Sequence, residues 1–285
     1  MELNSINNLY GLIGFPLSHS FSKKYFKEKF EKEGIADSFY ELFPLQSIEE
    51  FPDLIAQHPN LKGLNVTIPY KQAVMPFLDE IDKEAEAVGA VNTIRIKDGK
   101  LKGFNTDVYG FEHSLHDFLQ DAQKPVKKAL ILGTGGAAKA IAYVLKKMEI
   151  DFLLVSRSVE KGDIDYKSID GKILSNHLLI VNTTPLGMYP SIDTFPDISY
   201  HYLTEAHYLY DLVYNPEITS FMSKGAAKGA KSHNGLRMLY LQAEKAWEIW
   251  NQTITDLFLF EVDLLPNTFL RTIIVWPNQI KNQER

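Results

Sequence analysis

The chain has no cysteine, which excludes disulfide scaffolds, thiolate catalysis and cysteine metal sites before any other residue is read. It has no excess of positive charge: 30 Lys and Arg stand against 36 Asp and Glu, a formal net charge of -6. A general nucleic-acid surface is therefore not expected, and a small molecule is the default partner. No apolar run approaches the length of a membrane span, and the amino terminus lacks the basic and apolar regions of a signal peptide. Cytoplasmic residence without a membrane partner is the expectation. Of eight histidines only His113 and His116 lie close together, at i and i+3, where an amphipathic helix surface explains them better than a metal. What is present is 285 residues, 45% hydrophobic, without repeats or low-complexity tracts. That is enough chain for one large or two ordinary domains.

The most informative stretch runs from Val126 to Leu145. An apolar run ending Ile131-Leu132 breaks into Gly133-Thr134-Gly135-Gly136, then resumes as Ala140, Ile141, Val144 and Leu145 at helical spacing. This is the strand, turn and helix of a dinucleotide site. Gly133 permits the tight turn, Gly135 lets backbone approach a pyrophosphate, and Ala138 at the third position of G-x-G-x-x-A allows close packing of helix on sheet. The next strand, Asp151 to Val155, ends in Ser156-Arg157-Ser158, where such folds read the adenosine ribose. No acidic residue is offered there to a 2′-hydroxyl, and a guanidinium favours a 2′-phosphate, hence NADP over NAD. A solvated surface charge is the bland alternative for Arg157.

Before that unit, Tyr10 to Phe15 predicts a first strand, and Tyr25, Phe26 and Phe30 predict a helix capped by Ser22 and stopped by Gly34. Ser20 and Ser22 are helix-start hydroxyls that either cap or bind a carboxylate. Phe39 to Leu45 predicts a strand, and Ser47-Ile48-Glu49-Glu50 a capping box. In the stretch Leu61 to Lys71, Pro69 blocks continuation as a central strand and suits the first turn of a helix, so that Thr67 and Lys71 fall at a strand-to-helix switch. Asp79 to Val88 predicts a charged helix ending at Gly89, and Asp98-Gly99 a hairpin between Ala90–Ile96 and Leu101–Phe104. Asn105-Thr106-Asp107 precedes a helix, where capping is the ordinary role of Asp107.

After Ser158 the crossover shows little helical periodicity and is expected to be abbreviated. Leu178 to Val181 and Tyr208 to Val213 predict strands, the latter the last clear one, and a long amphipathic helix follows Gly235. On a solvent face of that helix Gln242 is unremarkable. The tail beyond has apolar clusters, Pro266 and Pro277 but no clear period.

Taken in order, Pro16 to Ser22, Asn65 to Lys71, Gly89 to Thr93, Asn105-Thr106-Asp107, Gly133 to Ala137, Asn182-Thr183-Thr184, and Gly235 with Gln242-Ala243 resemble the shikimate dehydrogenase family over about residues 10 to 250. The resemblance implies an α/β protein of two domains around a cleft. Residues 1–107 and 235–262 would form the substrate-binding and catalytic domain, 108–234 a Rossmann-like NADP-binding domain, and 263–285 a tail. It implies reversible reduction of 3-dehydroshikimate to shikimate by NADPH, a step of aromatic amino-acid biosynthesis. Lys71 and Asp107 match the catalytic pair. Ser20 and Ser22, with Tyr214 nearby, match the carboxylate site, and Thr67, Asn92 and Gln242 match positions that bind the carboxylate or ring hydroxyls. Gly133, Gly135, Gly136 and Ala137 match the phosphate turn, Ser156, Arg157 and Ser158 the family's Asn-Arg-Thr segment with Ser in place of Asn, and Leu212 and Gly235 positions near the nicotinamide. A monomer or homodimer is expected. The competing expectations are a quinate/shikimate dehydrogenase using NAD, and a non-catalytic metabolite and nucleotide sensor.

Overall fold

In this computed structural model the described residues are 3, 6–17, 21–122 and 125–251. The first segment alternates strands with helices. β1 (Asn8–Gly14), α1 (Phe21–Glu33), β2 (Ser38–Pro44), α2 (Phe51–Gln57) and β3 (Leu61–Val66) are followed by β4 (Glu80–Ile81), α3 (Lys83–Val88), β5 (Thr93–Lys97) and β6 (Lys100–Phe104). These strands form one mixed sheet of order β2-β1-β3-β5-β6-β4. β1 is parallel to both β2 and β3, and β5 is antiparallel to β3 and β6.

α4 (Thr106–Leu119) leads into β7 (Lys128–Leu132), α5 (Gly136–Lys147), β8 (Asp151–Ser156), β9 (Ile164–Asp165), α6 (Gly171–Asn176), β10 (Leu179–Asn182), β11 (Tyr208–Asp211), α7 (Ser220–Ala226) and β12 (Lys231–Asn234). The second sheet has the order β12-β11-β10-β7-β8-β9, with every pairing parallel. α8 (Leu236–Asn251) closes the described chain.

Each central strand is apolar on both faces because helices cover both. In β1, Leu9 and Ile13 pack with Phe51 and Leu64, whereas Tyr10 and Leu12 pack with Phe26, Phe30 and Trp250. In β7, Ala129 and Ile131 pack with residues of α4 and α5, and Leu130 and Leu132 with Leu174 and Phe221. α8 belongs to two cores: Met238 packs beside Phe111 and Leu115, while Ala243, Ala246 and Trp250 pack beside Tyr10 and Phe26. It crosses α4 at Gly110, where a Cβ would meet Met238 O at 2.7 Å, so the two helices touch through backbone. The described residues up to Trp250 form one compact unit. The tail expected at 263–285, and residues 252–262 expected in the substrate-binding domain, lie outside the described residues.

Several local expectations are corrected. α1 starts at Phe21, so Ser22 lies inside its first turn instead of capping it. The Ser47 segment opens as a short 3-10 turn, and Ser47 makes no side-chain bond to a helix N–H; its hydroxyl goes to Glu49 instead. Pro69 follows a cis peptide and begins a series of turns, not a regular helix. The 79–88 helix is shorter than expected because Asp79 to Ile81 are drawn against β6, and Asp82 caps at Glu84 N, 3.0 Å. The Asp98-Gly99 hairpin forms with both residues at positive φ, 51° and 75°. The crossover after Ser158 is short, its only α-helix having six residues. Four elements had no sequence expectation, β9, α6, α7 and the edge strand β12. Among the described residues no helix is long and apolar enough to cross a membrane.

Candidate active site

β3 ends at Val66, and the turns that follow are anchored to neighbouring strands: Thr67 N donates to Ile13 O at 2.9 Å, Tyr70 N to Thr67 O at 2.9 Å, and Val91 N to Lys71 O at 2.7 Å. Lys71 is thus presented from a pinned turn. Asp107 lies in the first turn of α4, after Asn105 at the N-cap, which makes no side-chain cap bond. Its carboxylate does not cap either. Asp107 Oδ2 accepts from Lys71 Nζ at 2.6 Å, with the side chains 13% and 21% exposed respectively. An ammonium and a carboxylate so placed are oriented against each other and remain open on one side.

Beneath this pair lies a buried polar chain. Asn92 Oδ1 accepts from Thr106 N at 2.7 Å, and Asn92 Nδ2 donates to Thr106 Oγ1 at 3.0 Å. Thr106 Oγ1 also lies 3.1 Å from Thr93 Oγ1 and 3.5 Å from Gln242 Oε1. Gln242 Nε2 donates to Leu239 O at 2.9 Å. Asn65 Nδ2 donates to Thr93 Oγ1 at 3.3 Å, and Asn65 Oδ1 accepts from Tyr40 Oη at 2.8 Å. The Tyr40 phenol, pushed up by burial, is in turn hydrogen-bonded by Ser22. One network therefore joins Ser22 to Asn92 and Gln242. The sequence reading missed its intermediates Tyr40, Asn65, Thr93 and Thr106. Asn65, polar in the middle of Leu64-Asn65-Val66, was the legible signal. Ser20 lies outside the described residues. Tyr214 is half-buried, its phenol pushed up by burial, with its ring 6.0 Å from that of Phe21 at the start of α1.

At the carboxyl edge of the second sheet, Gly133 has φ of 114° and its N donates to Val155 O at 2.9 Å. A Cβ there would meet Thr183 Oγ1 at 2.7 Å. Gly135 caps α5, and a Cβ on Gly135 or Gly136 would meet no atom within 4 Å. Ala138 is 2% exposed and packs in the core, as the third small position requires, while Ala137 is only partly buried. The open space above the start of a twelve-residue helix, with its first N–H groups free of side-chain caps, suits a pyrophosphate. At the end of β8, Ser156 is buried and its Oγ accepts from Ser158 N at 3.3 Å, whereas Arg157 is exposed and near enough to Tyr166 to act on its phenol. Across the sheet a Cβ on Gly235 would meet Leu212 O at 2.2 Å, so only glycine allows this backbone approach. These residues fit a dinucleotide with a 2′-phosphate. Among the described residues no cluster of three or more His, Asp or Glu is placed to hold a metal ion.

α4 connects the two regions. Its first turn carries Thr106 and Asp107, and Val108, Phe111 and Leu115 pack with Ala138 and Ile141 of the helix that follows the glycine turn.

Residues 12–94 match the family described as shikimate dehydrogenase substrate binding domain. The shikimate dehydrogenase (NADP(+)) of Carboxydothermus hydrogenoformans is 39% identical over 268 residues, covering 88% of this chain and 94% of that protein. Shikimate 5-dehydrogenase from Thermus thermophilus, solved in complex with NADP(H) and shikimate, superposes with a TM-score of 0.74 at 29% identity, covering 85% of this chain and 93% of that one. Quinate dehydrogenase from Corynebacterium glutamicum, solved in complex with NAD, superposes with a TM-score of 0.77 at 27% identity, covering 90% and 100%.

Proposed function

The chain belongs to the shikimate dehydrogenase family, and on that premise we propose that it catalyses the reversible, NADP-dependent reduction of 3-dehydroshikimate to shikimate in the cytoplasm. The observation that carries the reading is the Lys71–Asp107 pair, 2.6 Å apart and partly open. In this assignment residues 1–107 and 235–262 bind substrate and 108–234 bind cofactor.

NADPH, when bound, supplies the hydride. The chain's residues manage the charge and the proton. As hydride reaches the carbonyl carbon, negative charge gathers on oxygen; the Lys71 ammonium meets that oxygen and gives it a proton, leaving an alcohol. Asp107 holds the ammonium in place and accepts from a ring hydroxyl. The substrate carboxylate is taken by the hydroxyls of Ser20 and Ser22 with Tyr214 beside them, and Thr67, Asn92 and Gln242 serve the ring hydroxyls and carboxylate. Fixed polar partners discriminate against analogues lacking a hydroxyl, because such an analogue leaves a buried group unpaired. Gly133, Gly135, Gly136 and Ala137 receive the pyrophosphate, Ser156, Arg157 and Ser158 the adenosine ribose phosphate, and Leu212 and Gly235 flank the nicotinamide.

Likeness to a quinate dehydrogenase that was solved with NAD makes one comparison decisive. Initial rates are measured with NADPH and NADH and, in the oxidising direction, with shikimate and quinate. The expected result is faster turnover with NADP(H) and shikimate; faster turnover with NAD and quinate overturns the assignment.

A further inference from the structure

Asp211 ends β11 and is fully buried, 0% exposed, yet the reaction as derived above makes no use of it. Its Oδ1 accepts from Asn182 Nδ2 at 2.9 Å and from Val213 N at 3.0 Å, and its Oδ2 accepts from Thr219 Oγ1 at 2.6 Å. The donors come from three segments: the end of β10, the loop after β11, and the N-cap of α7. Three donors converging on two oxygens need a carboxylate. An asparagine with Oδ1 kept on Asn182 and Val213 turns its NH2 toward the Thr219 hydroxyl, which must then accept instead of donate although it already accepts from Met222 N.

The bonds pass outward from there. With its amide nitrogen held on Asp211, Asn182 turns Oδ1 toward Thr184, accepting from N at 3.0 Å and from Oγ1 at 2.6 Å. Thr183 and Thr184 wall the glycine turn, since a Cβ on Gly133 would meet their side chains at 2.7 and 3.0 Å. On the other side Leu212, the next residue in the chain, donates N to Asn182 O at 3.0 Å and presses its carbonyl against Gly235.

We propose that Asp211 is a positioning residue for the cofactor: by accepting from Asn182, Val213 and Thr219 together, it sets the exits of β10 and β11 so that Leu212 and the Thr183-Thr184 turn are held against Gly235 and Gly133. This rests on the reading of Gly133, Leu212 and Gly235 as cofactor-binding residues. Burial pushes the Asp211 carboxyl up to about 6 against the pull of its three donors. Below that pH a proton occupies one oxygen, and the bond which that oxygen accepted must reverse or be lost, so the arrangement loosens. The titratable group that feels Asp211 is the Tyr200 phenol, itself pushed far up by burial and hence neutral; Asp197 lies near Tyr200, and Lys224 rests over the rings of Phe195 and Tyr200.

The test is calorimetric titration of the whole protein with NADP+ from about pH 7.5 to about pH 5, which needs no turnover. For the wild type, Kd is expected to rise about tenfold or more across that range. In Asp211→Asn, Kd is expected to be raised about tenfold already at the upper pH and to change less on acidification. Thr219→Val removes one donor from the carboxylate and is expected to move the acid limb to higher pH. Titration of the cofactor's own 2′-phosphate is common to all three proteins and cancels. If Asp211→Asn does not fold, the Thr219→Val limb decides alone. An Asp211→Asn protein with wild-type affinity and pH profile, or a Thr219→Val limb that does not move, overturns the assignment. A wild-type protein that binds no NADP+ at the upper pH sinks the cofactor reading first and this one with it.

Discussion

Along the edge of the first sheet the polar groups already answer one another: Lys71 with Asp107, Asn92 with Thr106, and Tyr40 with Asn65. Along the edge of the second sheet the glycine turn is defined by what is missing. Gly135 and Gly136 face open space, and Gly133 and Gly235 sit where a methyl group would strike Thr183 or Leu212. On the proposed function the two edges are prepared for different cargo. A ring with several hydroxyls is selected by fixed donors and acceptors, and a pyrophosphate by free backbone N–H groups that need room. Hence the first edge should be most sensitive to removing an atom, and the second to adding one.

The largest effect expected from this contrast is at Asp107. Asp107→Asn keeps the shape but leaves the ammonium without its counter-charge, and kcat is expected to fall by about 10³-fold, with NADP+ affinity unchanged. A kcat within a few-fold of wild type would remove Asp107 from the chemistry. Next comes Gly135→Val, which fills the open space above α5. Kd for NADP+ is expected to rise about tenfold or more, with the fold intact by circular dichroism. Equal affinity would mean that the pyrophosphate lies elsewhere.

A smaller effect is expected at Ser22. Ser22→Ala removes one hydroxyl from the network that reaches Asn92, and KM for shikimate is expected to rise about fivefold, the worth of one hydrogen bond, with kcat little changed. An unchanged KM contradicts its place in the carboxylate site.

The smallest effect belongs to His233, whose Nε2 lies 3.2 Å from Ser114 Oγ. Burial lowers its imidazole below the usual value, with Asp117 and Arg237 acting in opposite directions. The unfolded chain therefore takes up the proton first. The stability that His233 confers is present above its unfolded pKa and is lost as pH falls through the interval down to the folded one. Melting temperature should decline more for the wild type than for His233→Gln between about pH 7 and about pH 5.5. Parallel curves would show that His233 carries none of that dependence.

How far this was legible in the sequence depended on the range of the interaction. The turn at Gly133 and the hairpin at Asp98-Gly99 were readable because their conformations are dictated locally, by φ values that glycine or aspartate accept. The pairing of Lys71 with Asp107 came only through the resemblance. From the residues themselves, Pro69 suggested a helix and Asp107 a cap, and tertiary bonds from Val91 and Lys71 overrode both. Strand β12, Lys231–Asn234, gave no signal because it is a polar edge strand paired on one side alone. The chain Tyr40–Asn65–Thr93–Thr106 links four elements, and no local pattern announces it beyond Asn65 within an apolar strand.

The central claim is that Lys71 serves the reacting oxygen and nothing else. Its most direct measurement pairs turnover of 3-dehydroshikimate with NADP+ binding in Lys71→Ala. The account predicts that turnover collapses while Kd for NADP+ stays at the wild-type value; near-normal turnover, or a loss of cofactor binding that parallels the loss of turnover, would contradict it.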